Sequence, residues 1–209
     1  AVGSFALSAN VSGAFNTAVG YNAGKSQAGV TDENSTWVGY EAGNVANGGS
    51  GNNSALGAYA LDSVTSGSYN TAFGVRTLSS MVLEDTATAV GYDALRNNTA
   101  TNNTAVGALA GTANVTGIAL TDVGYQAGAA QAGATDDYNT WIGYQAGASA
   151  NGASQGGNTA VGRGALDTLT TGNQNVAIGK DALTSLVGSS LSVAVGYEAL
   201  KSSTVGTNT

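Results

Sequence analysis

The chain has 209 residues, with 32 Gly and no Pro, Cys or His. Leu, Ile, Val and Phe together make up about 19% of it, too little to fill the core of one globular domain of this length. Only 9% of the residues are charged and the net charge is −7, so the composition does not fit a charged disordered chain either.

Several kinds of functional site are excluded by the residues that the chain lacks. Without Cys there is no disulfide or thiolate site, and without His the commonest general base is missing. Six basic against thirteen acidic residues form no basic patch for nucleic acid. No run of 18 apolar residues predicts a membrane span. We therefore expect no enzyme, no nucleic-acid partner and no membrane insertion in this segment.

A short motif, Ala-Val-Gly or a close variant, recurs along the whole chain and defines a repeat of about 17 residues. We call its glycine position 0 of each repeat and count the other positions from it. The twelve copies are spaced 16 to 19 residues apart. Their glycines lie at 3, 20, 39, 57, 74, 91, 107, 124, 143, 162, 179 and 196.

The repeats share an order of residue types around this glycine. Position −1 is Val, Leu, Ile or Phe in all twelve copies, and position −3 is Thr or Ser in nine consecutive copies from Thr17 to Thr159. Position −4 is usually Asn, position +3 is Ala except at Thr77, and position +4 is Leu or Gly. The residues around position 0 favour a short strand of four or five residues, and the later Asn, Gly, Ser and Thr favour a loop.

These repeats predict an all-β fold, a parallel β-solenoid (β-roll) of about twelve coils of 16–19 residues. A unit this short buries its apolar face only by stacking on its neighbours. We expect the side chains at −1 to form an aliphatic ladder in a narrow core and the Asn at −4 to form a hydrogen-bonded ladder. A helix is disfavoured because one Gly in every repeat costs about 1 kcal/mol per copy there.

A longer period divides the chain into two super-repeats of six coils, residues 1–104 and 105–209, which we expect to form one continuous solenoid. Trp37 matches Trp141 in this alignment. A Gly at +4 is expected to open a longer loop, as at 30–35 and 135–139. Because the sequence begins at Ala1 without an initiator Met, we expect a processed product or a part of a longer chain.

No catalytic, cofactor-binding or metal-ligating residue is assigned from the sequence. Three acidic pairs could supply oxygen ligands to Ca²⁺, which takes six to eight of them. The alternative is that each pair is a solvated loop tip, and we favour it because no Asp-x-Asp pattern repeats. The pairs are Asp32-Glu33, Glu84-Asp85 and Asp136-Asp137.

Aromatic and hydroxyl residues suggest further hypotheses. Trp37 and Trp141 replace the usual Ala at −2, either as aromatic platforms for a glycan or partner, or as cover for an apolar patch beneath the longer loops; we favour the second. Tyr stands at +1 in six repeats, where we expect it to stack or to pack between chains. The Thr column at −3 is typical of β-solenoids that order water on ice.

The runs Asn-Thr-Ala-Val-Gly-Tyr-Asn-Ala at 16–23, Asn-Thr-Ala-Val-Gly-Arg-Gly-Ala-Leu at 158–166 and Asn-Val-Ala-Ile-Gly-Lys-Asp-Ala-Leu at 175–183 resemble a known family. They are similar to the head repeats of YadA-like trimeric autotransporter adhesins, and similar runs occur in long phage tail fibres. The resemblance covers essentially the whole chain, although the repeat here is longer than the adhesin unit. It implies a left-handed parallel β-roll, three chains around a common axis, and an extracellular, cell-surface or virion location.

The sequence thus predicts a non-enzymatic structural or adhesive fibre segment that forms a homotrimer. It has no cofactor apart from the Ca²⁺ hypothesis, and its partners are copies of itself and a host surface or matrix. One alternative is a filament subunit that polymerises end to end, because an open solenoid end is an unpaired strand edge. A further alternative is an ice-binding solenoid that uses the Thr column.

Overall fold

The structure, a computed structural model, describes residues 1–26, 33–45, 51–131, 137–151 and 156–204. The chain forms two compact units, Ala1–Asn102 and Asn103–Thr209. Each unit is a parallel β-solenoid, so the predicted fold class is confirmed. Among the described residues, eleven of the twelve repeats contribute one three-residue strand each, and the first repeat contributes only an isolated bridge.

The described residues of the first unit form five strands, each paired in parallel with the next. An isolated parallel bridge between Val2 and Val19 precedes them. Equivalent repeat positions face each other in every pair, as in Ser54 opposite Thr71, so the coils stack in register. The strands are β1 (Thr17–Val19), β2 (Thr36–Val38), β3 (Ser54–Leu56), β4 (Thr71–Phe73) and β5 (Thr88–Val90).

In the part of the second unit that the structure describes, there are six strands with the same parallel, in-register pairing. They are β6 (Thr104–Val106), β7 (Thr121–Val123), β8 (Thr140–Ile142), β9 (Thr159–Val161), β10 (Val176–Ile178) and β11 (Val193–Val195). The described part of the chain contains no helix, and therefore none that is long and apolar enough to cross a membrane.

The glycine at position 0 ends each strand for two physical reasons. Its φ lies between 129° and 144° in all twelve repeats, a region that side chains rarely adopt. It also packs against the next coil: a Cβ on Gly74 would overlap the carbonyl oxygen of Gly91 and lie 2.7 Å from its carbonyl carbon. The tight coil expected from the glycine column is confirmed.

Backbone hydrogen bonds between coils continue beyond the strands. The Arg76 N–H donates to the Ala58 carbonyl at 2.9 Å, and the Leu78 N–H donates to the Ala94 carbonyl at 3.2 Å. The residue at +4 has a φ of about 50–60° whether it is Gly or Leu, as at Gly43 (59°) and Leu78 (52°). A Gly at +4 therefore does not mark a different backbone conformation.

The core of each unit consists of small and branched side chains at −2, +3, +4 and +7. Residues such as Ala72, Leu78 and Met81 in the first unit, and Ala177 and Leu183 in the second, have no exposed surface. The expectation that the −1 column forms this core is wrong. Residues at −1 lie on the other side of the strand, and the small Ala at −2 points inward instead.

The predicted ladder of Asn side chains at −4 is present, and its six members from Asn53 to Asn175 are buried. In the second unit, Asn175 Nδ2 donates to Asn158 Oδ1 at 3.1 Å and to the Ser189 carbonyl at 2.8 Å. Asn175 Oδ1 accepts the Ser192 N–H at 2.9 Å. The Asn side chains thus link neighbouring coils inside the solenoid, where water does not reach.

Candidate interaction surface

The side chains at −3 and −1 of the strands form a surface that we call the outer face of each unit. Successive side chains of a strand point to opposite sides, so an inward residue at −2 places both of its neighbours outward. Aliphatic and aromatic groups at −1 are consequently exposed to solvent, as at Leu56 (44%), Phe73 (52%) and Ile178 (41%). The −1 column belongs to the surface and not to the core.

The outer face carries no charged side chain at any of its positions in β1–β11. The −3 column supplies Thr or Ser up to β9 and Val in β10 and β11, while the −1 column supplies Val, Leu, Ile or Phe. A chain that bears a net charge of −7 thus has its charges elsewhere. Contiguous exposed apolar surface of this kind marks interaction sites in soluble proteins.

The outer face of the first unit contains a hollow of about 200 Å³ across β2, β3 and β4. It is lined among others by Thr36, Ser54, Leu56, Thr71 and Phe73, and its walls are almost wholly apolar. Thr36, Ser54 and Phe73 are themselves exposed, so the hollow opens to solvent.

The Tyr residues at +1 stack along the coils, as predicted. The rings of Tyr21 and Tyr40 are 5.3 Å apart and nearly parallel, and Tyr125 and Tyr144 form a second such pair. In other coils a cation replaces the second ring: Lys180 Nζ lies 5.0 Å from the centre of the Tyr197 ring. Since the stacked rings face one another, this column stabilises neighbouring coils.

Trp37 and Trp141 do not form exposed platforms. Both lie at −2 and are fully buried inside their coils. Neither indole N–H group has a hydrogen-bond partner. A Cβ on Gly147 would lie 2.5 Å from the Trp141 ring, and Gly43 is related to Trp37 in the same way. Gly at +4 makes room for these rings. The platform hypothesis is therefore wrong.

Three described residues of the acidic pairs, Glu84, Asp85 and Asp137, accept hydrogen bonds from the chain's own backbone. Glu84 Oε2 accepts the N–H groups of Val82 and Leu83, and Asp137 Oδ1 accepts the Ile118 N–H at 2.9 Å. Asp32 and Asp136 lie outside the described residues. Among the described ones, no group of three or more acidic residues is arranged to hold a metal ion.

Asp122 is a buried carboxyl that the repeat pattern did not identify as unusual. It replaces the usual Ala at −2 in β7 and has no exposed surface. Gln131 Nε2 donates to both of its oxygens, at 3.1 and 3.3 Å. Burial raises the pKa of Asp122 well above its ordinary value, although the Gln131 hydrogen bond opposes this effect.

Asp62 is a second carboxyl with an altered pKa. It is partly buried, and its Oδ1 atom has no hydrogen-bond partner. Burial, with a smaller contribution from the negative charge of Glu41, raises the pKa of Asp62 to about 6.

Comparison with known proteins adds no further assignment. No protein-family model matches the chain, and neither a curated protein nor a solved structure matches it.

Proposed function

We propose that the chain is a non-enzymatic structural segment of an extracellular fibre, in which three copies associate side by side through their outer faces. The observation that supports this is the uncharged outer face, whose side chains at −1 are exposed in each unit. Burial of apolar surface stabilises association by about 25 cal/mol per Å². An uncharged face also allows copies with a net charge of −7 to approach each other.

The trimer, the adhesive role and the location at a cell surface or on a virion are supported by the resemblance of the repeats to trimeric adhesin heads and phage fibres. The fold is consistent with this, since stacked coils make a regular, extended surface. A host surface or matrix is the partner that we propose for the fibre.

The mass of the protein in solution tests the proposal. We expect sedimentation to give three chains for the unmodified protein. Ile178→Lys places a charge on the outer face of the second unit and should produce monomers with an unchanged circular dichroism spectrum. Asn151→Lys adds the same charge at an exposed residue outside the strands and should leave the trimer intact. A monomeric unmodified protein would refute the trimer, and long polymers would favour the end-to-end filament.

Ice binding is a second candidate because the Thr column at −3 lies on the outer face, where its hydroxyl groups reach solvent in β1–β4. The column beside it is uneven, since Leu56 and Phe73 interrupt a series of Val. A thermal-hysteresis assay separates the two candidates. Ice shaping by a monomer would support ice binding, and its absence would eliminate that function.

A further inference from the structure

Three of the residues that line the hollow of the first unit depart from the Thr-Ala-Val consensus, and they lie in adjacent coils. Ser54 lacks the methyl group that Thr supplies elsewhere in the −3 column, and this leaves space at the surface. Leu56 and Phe73 are longer than the Val found in most coils, and they raise the walls around that space. The corresponding residues of the second super-repeat are Thr159, Val161 and Ile178, so the combination is specific to the first.

The size and chemistry of the hollow fit one aromatic ring. An apolar cavity of about 150 Å³ holds a benzene molecule in a protein interior. The hollow measures about 200 Å³ and has an almost wholly apolar lining, so a phenyl group enters it without leaving a polar atom unsatisfied. Phe73 itself stands at its edge with half of its surface exposed.

We propose that the Phe73 side chain of one copy inserts into the hollow between β2 and β4 of a neighbouring copy and fixes the axial register of the trimer. This inference rests on the proposed function, because it requires three parallel copies. Such copies place identical coils at the same height, so Phe73 of each chain meets the hollow of the next. Three such contacts close a ring in a cyclic trimer.

The absence of charge around the hollow favours a second copy of the chain as its occupant over a small apolar ligand. The hollow lies within an uncharged face, so a chain of the same net charge meets no like charge there. The other two Phe residues, Phe5 and Phe15, belong to the first coils and do not share the height of the hollow. Phe73 is thus the phenylalanine that lies beside the hollow of a neighbouring copy when the copies are parallel and in register.

Photo-crosslinking tests the contact directly. With p-benzoylphenylalanine at position 73, irradiation should join chains covalently, and mass spectrometry should map the crosslinks to residues 54–56 of a second copy. The same amino acid at position 178 is the matched control and should react with other residues. Crosslinks from position 73 to another part of a trimer would overturn the inference and leave the trimer standing. A monomeric unmodified protein would overturn both.

Substitution provides an independent measurement. Phe73→Val and Ser54→Thr restore the consensus and should each raise the trimer dissociation constant by about tenfold, since aromatic anchors in pockets dominate interface energetics. Ile178→Val, at the equivalent position of the second super-repeat, should change it much less. Circular dichroism confirms that each variant is folded. Equal effects at positions 73 and 178 would overturn the inference.

Discussion

The glycine at position 0 is the residue on which stacking most depends, and Gly74 illustrates the expected effect of changing it. Its φ is 139°, and a Cβ would overlap the Gly91 carbonyl of the next coil. Gly74→Ala therefore combines backbone strain with a steric clash. We expect the free energy of unfolding to fall by about 3 kcal/mol, measured by urea denaturation followed by circular dichroism.

Gly196 separates the two causes. Its φ of 131° is similar, but among the described residues a Cβ there would meet no atom closer than 3.9 Å. Gly196→Ala should therefore show the strain without the clash and cost about 1–2 kcal/mol. Equal losses for the two variants would mean that close packing between coils contributes nothing to the requirement for glycine.

The buried carboxyl of Asp122 predicts a stability that decreases as pH rises. Folding raises the pKa of Asp122, so above pH of about 4 the folded chain holds a proton on this carboxyl that the unfolded chain has already lost. The free energy of unfolding should fall by up to about 1.4 kcal/mol per pH unit in that range. Asp122→Asn removes the titrating group, and denaturant titrations between pH 4 and 8 should then give a flatter profile.

Asp62 provides the comparison for this experiment. Its pKa of about 6 predicts a loss of stability that starts near pH of about 4 and is nearly complete about one pH unit above 6, where the carboxyl is ionised in both states. Asp62→Asn should flatten the profile only below about pH 7. If Asp122→Asn leaves the profile of the unmodified protein unchanged, Asp122 is not the source of the dependence.

At the scale of the element, the Asn ladder is expected to contribute more than any surface hydrogen bond. Asn175→Ala removes the acceptor of the Ser192 N–H and the donor to the Ser189 carbonyl, both in the interior. Leaving buried polar groups unsatisfied costs about 1–3 kcal/mol each. We expect a loss of about 2–4 kcal/mol in the free energy of unfolding, measured by chemical denaturation.

Asn173→Ala is the matched control, two residues away. Asn173 is exposed, and its side chain accepts a hydrogen bond from the Ser190 hydroxyl at 2.8 Å, where water can replace it. This variant should lose less than about 1 kcal/mol. A loss as large as that of Asn175→Ala would show that the interior position of the ladder has no special importance.

The repeat was sufficient to predict the order of the strands and their register, because a backbone conformation that favours glycine recurs at the end of each strand. The strands have three residues, and not the four or five that were expected. The same argument places Thr17 opposite Thr36 and Val19 opposite Val38. In each unit the pairing of equivalent positions follows from the sequence alone. The trimer and the handedness of the coil stay predictions.

The direction in which the side chains point could not be read from hydrophobicity. A strand of three residues offers two faces, and the larger apolar side chain at −1 suggested an inward position. The Thr at −3 was the contrary signal, since alternation places −3 and −1 on the same side. The large apolar Trp at −2 in two repeats was a second signal that position −2 faces the interior. Asp122 was unpredictable because a carboxyl at a core position violates the usual distribution of charge.

At the scale of the whole molecule, the exposed −1 column means that even the few aliphatic residues of the chain do not all contribute to its core. Part of the small supply of Val, Leu and Ile is exposed, while Ala, Leu and the two Trp fill most of the interior. A lone chain therefore has both a slender core and an apolar surface. Association through the outer face would bury the column and supply the stability that the slender core lacks.

The distribution of charge predicts how the proposed trimer responds to salt. Each chain carries a net charge of −7, and its outer face carries none, so association brings together like charges without forming ion pairs across the interface. The screening length falls from about 30 Å at 0.01 M salt to about 8 Å at 0.15 M. Sodium chloride in this range should lower the trimer dissociation constant several-fold, measured by sedimentation equilibrium. Chloride is preferred to sulfate because sulfate also strengthens apolar burial. A dissociation constant that rises with salt would mean that complementary charges, and not the uncharged face, hold the copies together.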